Sequence, residues 1–257
     1  MVYLSQPEIT EAKATKRFVE WQHNGSKAYV VHMTCQGALK CVTETKSAEN
    51  VLVETCPQYL LLDHSLYRKE DAIKWVMSPP LREAKDRKSL WEGIKNGVVN
   101  VVGTDHCPFL LKDKEKGIED FTKIPNGAPG IEHRMELLYS EGVLKGRISL
   151  KRYVEVTSTN AARIFGLYPQ KGDIKVGSDA DIVIFNPSEK HTISVKTHHH
   201  HCDYSAYEGW EVTGKVNTVL LRGQVAIEDV SLKVKKGEGR FLKRTVSNFV
   251  RKNDRLS

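Results

Sequence analysis

Side chains with metal-binding chemistry accompany three short apolar runs in the first half of this 257-residue chain. They are His32 after AYVV, Glu54 in VLVET and Asp105 after VVNVVGT. Imidazole and carboxylate are ligands that zinc and similar divalent ions take from proteins. A carboxylate beside such a metal can also act as a general base toward water. His32 and Asp105 are therefore candidate metal ligands, and Asp105 is also a candidate catalytic base.

The apolar runs have the length of buried strands, at residues 28–31, 51–55 and 98–102. Helical patterns separate them, and helices are expected over residues 6–22 and 86–95, the second with Asp86 as its N-cap. Strands that alternate with helices are typical of parallel βα units. Because ligands in such folds bind at the carboxyl ends of the strands, the polar residues are predicted to lie at one edge of a parallel sheet.

Simpler structural roles are open for the same two candidates. The Asp105 side chain can cap a turn, and His32 can be a core histidine whose hydrogen bonds are satisfied. On spacing alone, these roles are favoured over a metal site.

The second half of the chain changes from βα units to short helices and then to β structure. An amphipathic helix is expected over residues 131–141, and two short helices are expected over 150–166. From residue 172, alternation and Gly/Asp turns predict a small antiparallel sheet. We therefore predict three parts, which are an α/β domain (1–169), part of a small β domain (170–237) and a basic tail (238–257).

Four consecutive histidines stand in KTHHHHCDY, residues 196–204. They are not a terminal tag, because LLRGQVAIED (220–229) and the basic tail follow them. Neighbouring side chains of an extended segment point to opposite faces, so four successive residues do not readily form a compact four-ligand site. We therefore favour a packing or interface role for this run over metal binding.

Composition indicates a globular protein without a nucleic-acid or membrane partner. The net charge is +7, but much of the excess lies in the tail, and no RNA- or DNA-binding motif accompanies it. No run of 18 apolar residues and no signal-peptide pattern occurs. Five cysteines without a CxxC spacing favour reduced thiols and a cytoplasmic location.

Seven ordered motifs resemble the hydantoinase/dihydropyrimidinase family of cyclic amidohydrolases. They are VMSPPLR (76–82), VVGTDHCPF (101–109), DFTKIPNGAPGIEHR (120–134), TSTNAARIFGLYP (157–169), GSDADIVIFNP (177–187), KTHHHHCDYSAYEG (196–209) and LLRGQVAIED (220–229). The resemblance implies strands six to eight of a TIM barrel with their helices, followed by part of a small β-sandwich and a C-terminal tail. It also implies a divalent-metal centre, usually two zinc ions, that polarises a cyclic amide carbonyl and activates water.

The resemblance assigns roles to four residues of this chain. His32 matches the metal-ligating histidine after the sixth strand, and Asp105 matches the aspartate that binds metal and shuttles the proton. Ser78 in MSPP and Asn126 in IPNG match residues whose backbone groups hold the amide and imide edge of the substrate ring. Ser78 can also simply shape a loop before proline, and Asn126 with the following glycine is a common turn pair.

Family members take further metal ligands from segments that this chain does not contain: an HxH pair, a carboxylated lysine and another histidine. Two ligands cannot hold two metals in catalytic geometry, and three strands cannot close an eight-stranded barrel. We therefore expect the C-terminal portion of a hydantoinase-type enzyme, from a truncated gene or a partial gene model, that is inactive alone. Its substrate would be a small cyclic amide, with hydantoins and dihydropyrimidines both open.

A non-catalytic relative that acts through oligomer assembly, like the collapsin-response-mediator proteins, is the alternative. Those proteins usually replace the Asp of GTDHC and the Asn of IPNG. Asp105 and Asn126 are both present here, so the resemblance favours the catalytic branch. It also implies a homo-oligomer, a tetramer in the family.

Overall fold

A computed structural model describes residues 2–22, 26–45, 50–247 and 249. Within them the chain forms two compact units. The first comprises residues up to Arg134 together with Thr192–Trp210, and the second comprises Met135–His191 together with Glu211–Phe249. A parallel sheet lies in the first unit and an antiparallel sheet in the second, which confirms the predicted mixture of α and β structure.

The first unit alternates strands and helices. Its helices are α1 (Val2–Ser5), α2 (Glu8–Glu20), α3 (Gln36–Glu44), α4 (Pro57–Leu61), α5 (Ala84–Lys95) and α6 (Leu111–Glu115). Short 3-10 helices lie at His64–Arg68, Ala72–Trp75 and Phe121–Lys123. Its strands are β1 (Ala28–Val30), β2 (Val51–Thr55) and β3 (Val101–Val102).

The three strands pair in parallel, as the sequence predicts, and the structure places β2 in the middle. Val30 lies opposite Val53, and Thr55 lies opposite Val102. Parallel pairing places the carboxyl ends of all three strands at the same edge of the sheet. That edge is where the polar candidates follow.

The third strand is shorter than predicted, because the first residues of the predicted span bond to helix α5 instead of to β2. The amides of Val98 and Val99 both donate to the carbonyl of Gly93, at 2.9 and 3.0 Å, and so close the last turn of α5. Asn100 then joins the sheet through its amide, 2.8 Å from the Val53 carbonyl, and through its side-chain oxygen, 2.9 Å from the Val53 nitrogen. Regular pairing therefore begins only at residue 101.

Apolar side chains between the helices and the sheet form the core of the first unit. Val53, Leu90 and Ile94 are fully buried. Gly93 lets α5 approach α3 closely, because a Cβ at this position would lie 2.9 Å from the Leu39 side chain. Helix α2, within the predicted span 6–22, buries Val19.

The Asp86 carboxylate accepts hydrogen bonds at the N-termini of two helices. Helix α5 begins at Ala84, so the predicted N-cap role of Asp86 is wrong and this residue lies in the first turn. Its buried carboxylate accepts from the amide of Glu83 at 3.1 Å and from the amide of Gln36, the first residue of α3, at 2.9 Å. One side chain thus satisfies amides at the N-termini of two helices that pack together.

The second unit contains a helical segment and the antiparallel sheet. Its helices are α7, which starts at the last residue of the first unit (Arg134–Leu138), α8 (Leu150–Val154) and α9 (Asn160–Ile164), with π-helical turns at Tyr139–Val143 and Glu155–Thr159. Its strands are β4 (Ile182–Thr192), β5 (Glu211–Leu221), β6 (Gln224–Glu228) and β7 (Ser231–Leu232). The sheet order is β4-β5-β6-β7.

The predicted pair of short helices over 150–166 is one continuous helical segment. A π-helical turn joins α8 to α9, and the Thr157 hydroxyl donates to the Tyr153 carbonyl at 2.7 Å within it. The predicted antiparallel sheet is confirmed, and Arg222 with Gly223 forms the turn between β5 and β6 with positive φ at both residues.

All five cysteines are free thiols in the structure. Cys35, Cys56 and Cys202 are buried, and burial is the main cause that raises the pKa of each thiol. In the part of the chain that the structure describes, no helix combines the length and the apolar character needed to cross a membrane.

Asp86→Ala is expected to destabilise the protein by about 2 kcal/mol or more, because two amides at helix N-termini lose their partner. Urea denaturation followed by circular dichroism measures the change. Glu92→Ala, which removes an exposed carboxylate from the same helix, is the control and should have little effect. Equal stability of the two variants would contradict the double role of Asp86.

Candidate functional site

His32 and Asp105 lie just beyond β1 and β3, where the sheet edge predicted for them is formed. Both have left-handed backbone conformations, with φ of 40° and 48°. Among the described residues of the first unit, they are the only non-glycine residues with positive φ. This conformation costs on the order of 1 kcal/mol or more for such residues, and it concentrates at functional sites.

The middle strand holds both of the loops that carry these residues. On one side, the amide of Met33 donates to the Glu54 carbonyl and the Thr55 hydroxyl donates to the Met33 carbonyl, each at 2.8 Å. On the other side, the amide of Gly103 donates to the Thr55 carbonyl at 2.9 Å. The residue after His32 and the residue two before Asp105 are thus fixed to the end of β2.

Glu54, the third polar candidate, takes part in the same edge. The Tyr29 hydroxyl donates to its carboxylate at 2.6 Å. Its side chain also lies against Gly103, where an added Cβ would come within 2.8 Å of the carboxylate. Glu54 therefore links β1 to the loop after β3, and glycine at position 103 makes the close approach possible.

The Asp105 loop has a second support from helix α4. The buried Gln58 side chain donates to the carbonyl of Thr104 at 3.2 Å. Asp105 itself is exposed, while His32 is half-buried. The backbone is thus held while the candidate side chains stay accessible.

A buried lysine joins the two loops that carry Ser78 and Asn126. The Lys114 ammonium donates to the Val76 carbonyl at 2.8 Å and to the Pro125 carbonyl at 3.1 Å. The amide of Gly127 also donates to the Val76 carbonyl, at 3.0 Å. Both loops therefore converge on Val76, and Ser78 and Asn126, which are exposed, flank this junction.

Lys114 is completely buried, although lysine is rarely so. Burial lowers the pKa of its ammonium to about 8, since removing the charge from water disfavours the protonated form. The ring of Tyr204 lies 6.0 Å from the ammonium and offers a weak cation–π contact.

The Asn126 loop also lies against the segment that follows Asp105. The amide of Cys107 donates to the Ala128 carbonyl at 3.2 Å, and an added Cβ at Gly127 would lie 2.4 Å from the Cys107 carbonyl. The structure therefore brings the backbone around Asp105, Asn126 and Ser78 together, and β2 connects this region to His32.

The predicted metal ligands fit part of a divalent-metal site. An imidazole and a carboxylate lie on the loops that follow β1 and β3, the two strands on either side of β2, and both are donors that zinc accepts. Two protein ligands are fewer than the three or four that zinc sites use. These residues can thus supply part of a metal centre.

Lys114 is the site residue that sequence reasoning missed. It stands in LLKDKEKG, where nothing distinguishes it from its exposed neighbours Lys112 and Lys116. Its burial depends on two loops that are distant in sequence, so no local signal could have identified it.

Comparison with known proteins identifies the family to which this chain is related. The amidohydrolase family model matches residues 11–226. D-hydantoinase of Geobacillus stearothermophilus is 46% identical over 246 residues, 94% of this chain and 52% of that protein. The structure of dihydropyrimidinase from Brevibacillus agri NCHU1002 is 48% identical with a TM-score of 0.90, covering 93% of this chain and 53% of that one. That of D-hydantoinase (dihydropyrimidinase) from Thermus sp. is 43% identical with a TM-score of 0.92, covering 96% and 55%.

The chain belongs to the amidohydrolase family. Within that family it is homologous to the D-hydantoinases and dihydropyrimidinases, which confirms the resemblance seen in the motifs. It spans about half the length of the relatives that it matches.

Lys114→Met is expected to change how stability depends on pH. A lysine with a pKa of about 8 when folded and 10.5 when unfolded binds more protons in the unfolded chain between those values. The free energy of unfolding of the wild type should therefore rise relative to that of Lys114→Met, by up to about 3 kcal/mol from pH 8 to 10.5. Denaturant unfolding at several pH values measures this difference.

Lys112→Met is the matched control, because Lys112 is an exposed lysine on the same helix. Its stability should follow the wild type across the whole pH range. A constant difference between wild type and Lys114→Met from pH 8 to 10.5 would contradict the lowered pKa.

Proposed function

We propose that this chain is the C-terminal part of a metal-dependent hydrolase that opens cyclic amides, hydantoins or dihydropyrimidines, to N-carbamoyl amino acids. The observation that carries the proposal is the pair of strained residues, His32 and Asp105, on loops fixed to the same strand. Homology to D-hydantoinases and dihydropyrimidinases supports the substrate class.

The three parallel strands would be strands six to eight of a TIM barrel. Their parallel pairing and the alternation with helices support this assignment. We retain the predicted division into the barrel portion (1–169), the portion of a small β-sandwich (170–237) and the tail (238–257) as part of the proposal.

His32 and Asp105 would hold metal in a centre of two zinc ions, completed by ligands outside this chain. Bound metal supplies Lewis acidity toward the ring carbonyl and lowers the pKa of water. Asp105 would then accept a proton from water and return it to the leaving nitrogen. Its exposed carboxylate, on a loop held by Thr55 and Gln58, suits a group that must reach both positions.

Backbone groups of Ser78 and Asn126 would bind the amide and imide edge of the substrate ring. Lys114 supports this role, because it holds the carbonyls of Val76 and Pro125 and so sets the spacing between the two loops. A ring held at both ends has its scissile carbonyl fixed in orientation, which is a large part of hydrolytic catalysis.

A non-catalytic role in oligomer assembly is the alternative, and the retained Asp105 and Asn126 favour catalysis over it. We propose a homo-oligomer, a tetramer like those of the family, with neither nucleic acid nor membrane as partner. A reducing cytoplasmic location suits the five free thiols.

Fusing the part of the Geobacillus stearothermophilus D-hydantoinase that this chain does not match to the N-terminus of this chain should give a zinc-dependent hydrolase. Dihydrouracil and hydantoin are the test substrates, and ring opening is followed by ultraviolet absorbance. The chain alone should show no turnover, because His32 and Asp105 are too few ligands for the centre.

Asp105→Asn in the same fusion protein should lower kcat by about 100-fold or more, because the amide cannot accept the proton. Asp113→Asn is the control, since Asp113 lies on α6 and pairs with Lys116. A folded, zinc-loaded fusion protein without turnover would contradict the proposal, as would zinc-dependent turnover by the chain alone.

A further inference from the structure

Three histidines of the first unit form a cluster apart from His32 and Asp105. His133, His198 and His200 each offer one ligand nitrogen, and the three nitrogens lie within 4.8 Å of one another. The ring centroids of His198 and His200 are 3.7 Å apart, and that of His133 lies 6.5 and 6.1 Å from them. We refer to these residues as the three-histidine cluster.

The cluster takes alternate members of the run HHHH. The amide and ring Nδ1 of His199 both contact the Glu132 carboxylate, at 2.7 and 2.5 Å, and His201 is exposed. His198 and His200 are thus directed together while His199 is held elsewhere. The divergence of successive side chains argues against a four-ligand site within the run, and the cluster avoids this divergence because it combines two alternate residues with His133, 65 positions before His198 in the chain.

The hydrogen bond of His198 leaves its other nitrogen with a lone pair. Its Nε2 lies 2.8 Å from the carbonyl of Cys202, and a carbonyl can only accept, so Nε2 carries the proton. Nδ1 is then the lone-pair nitrogen, and it is buried without a hydrogen-bond partner in the described part of the chain. Metal-binding histidines usually have this arrangement, with the second ring nitrogen donating to a carbonyl.

His200 has the least satisfied ring of the cluster. Both of its nitrogens are buried, and neither has a hydrogen-bond partner among the described residues. A buried neutral imidazole with an unused lone pair is a ready ligand.

His106 borders the cluster but is not a ligand. Its ring meets that of His200 edge-on, with centroids 5.4 Å apart. Its Nδ1 accepts from the amides of Gly130 and Ile131 at 3.2 and 3.3 Å, so the proton of the neutral ring is on Nε2. His106 therefore has no free lone pair for a cation. The candidate ligands are the three nitrogens of His133, His198 and His200.

We propose that His133, His198 and His200 bind one divalent cation of borderline hardness, and zinc is the physiological candidate. Imidazole nitrogens suit zinc, nickel, copper and cobalt, and the absence of a carboxylate from the ligand set disfavours magnesium and calcium. Ligand nitrogens around tetrahedral zinc are about 3.4 Å apart, so the rings close inward by roughly 1 Å on binding. The bound ion ties the HHHH run to His133 and leaves a fourth position for an exogenous ligand.

Cobalt(II) is the probe for this site, because its visible spectrum distinguishes tetrahedral from octahedral ligands. The untagged full chain, stripped with chelator, is titrated with cobalt and then with zinc as competitor. The wild type should show a tetrahedral spectrum that zinc displaces. His200→Ala should weaken cobalt binding by at least about tenfold. His201→Ala, from the same run, should keep wild-type affinity.

An exposed histidine run that binds cations adventitiously would lose affinity equally in His200→Ala and His201→Ala, and this result would overturn the proposal. Loss of the tetrahedral spectrum in His32→Ala but not in His200→Ala would overturn it as well. Circular dichroism of the metal-free variants checks folding, and His200→Gln replaces His200→Ala if that variant does not fold. The wild type must in addition melt at a higher temperature with zinc than with magnesium, and equal melting temperatures would refute the site.

Discussion

The middle strand of the parallel sheet is the constraint on which the candidate site depends. The end of β2 accepts or donates hydrogen bonds on both sides, to Met33 after β1 and to Gly103 after β3. His32 and Asp105 keep their left-handed conformations because the residues beside them are already fixed. Without this strand, the loops of His32 and Asp105, residues 73 positions apart in sequence, would not be fixed to one edge of the sheet. The proposed metal chemistry therefore rests on backbone pairing before it rests on any ligand.

The buried Lys114 adds a second constraint of a different kind. A cation without a buried carboxylate beside it is costly, and here two carbonyls, of Val76 and Pro125, and one aromatic ring surround it. Replacing Lys114 with an apolar residue would remove the free-energy cost of desolvating the ammonium. It would also remove the hydrogen bonds that hold the two loops together. A buried charge that holds the two loops proposed to bind substrate is consistent with stability given up for a defined geometry. The three-histidine cluster shows the same feature, since both ring nitrogens of His200 are buried without a hydrogen-bond partner among the described residues.

Local pattern was sufficient to predict the parallel strands and the strand ends that carry His32 and Asp105. Apolar runs of strand length and their order along the chain contain that information. The late start of β3 was not predictable, because Val98 and Val99 turn their amides to Gly93. Asp86 was placed at the correct helix, but its bond to Gln36 needs the packing of α5 on α3. Lys114 and His133 are drawn into their sites by distant segments, and no local signal marks them.

Anomalous diffraction at the zinc absorption edge, from crystals of the fusion protein grown with zinc, tests the central claim most directly. Zinc peaks are expected within bonding distance of the His32 imidazole and the Asp105 carboxylate, at the carboxyl edge of β1, β2 and β3. Zinc in the crystal with no peak at either residue would contradict it. A peak at His133, His198 and His200 alone would support the metal site at the three-histidine cluster and would contradict His32 and Asp105 as metal ligands.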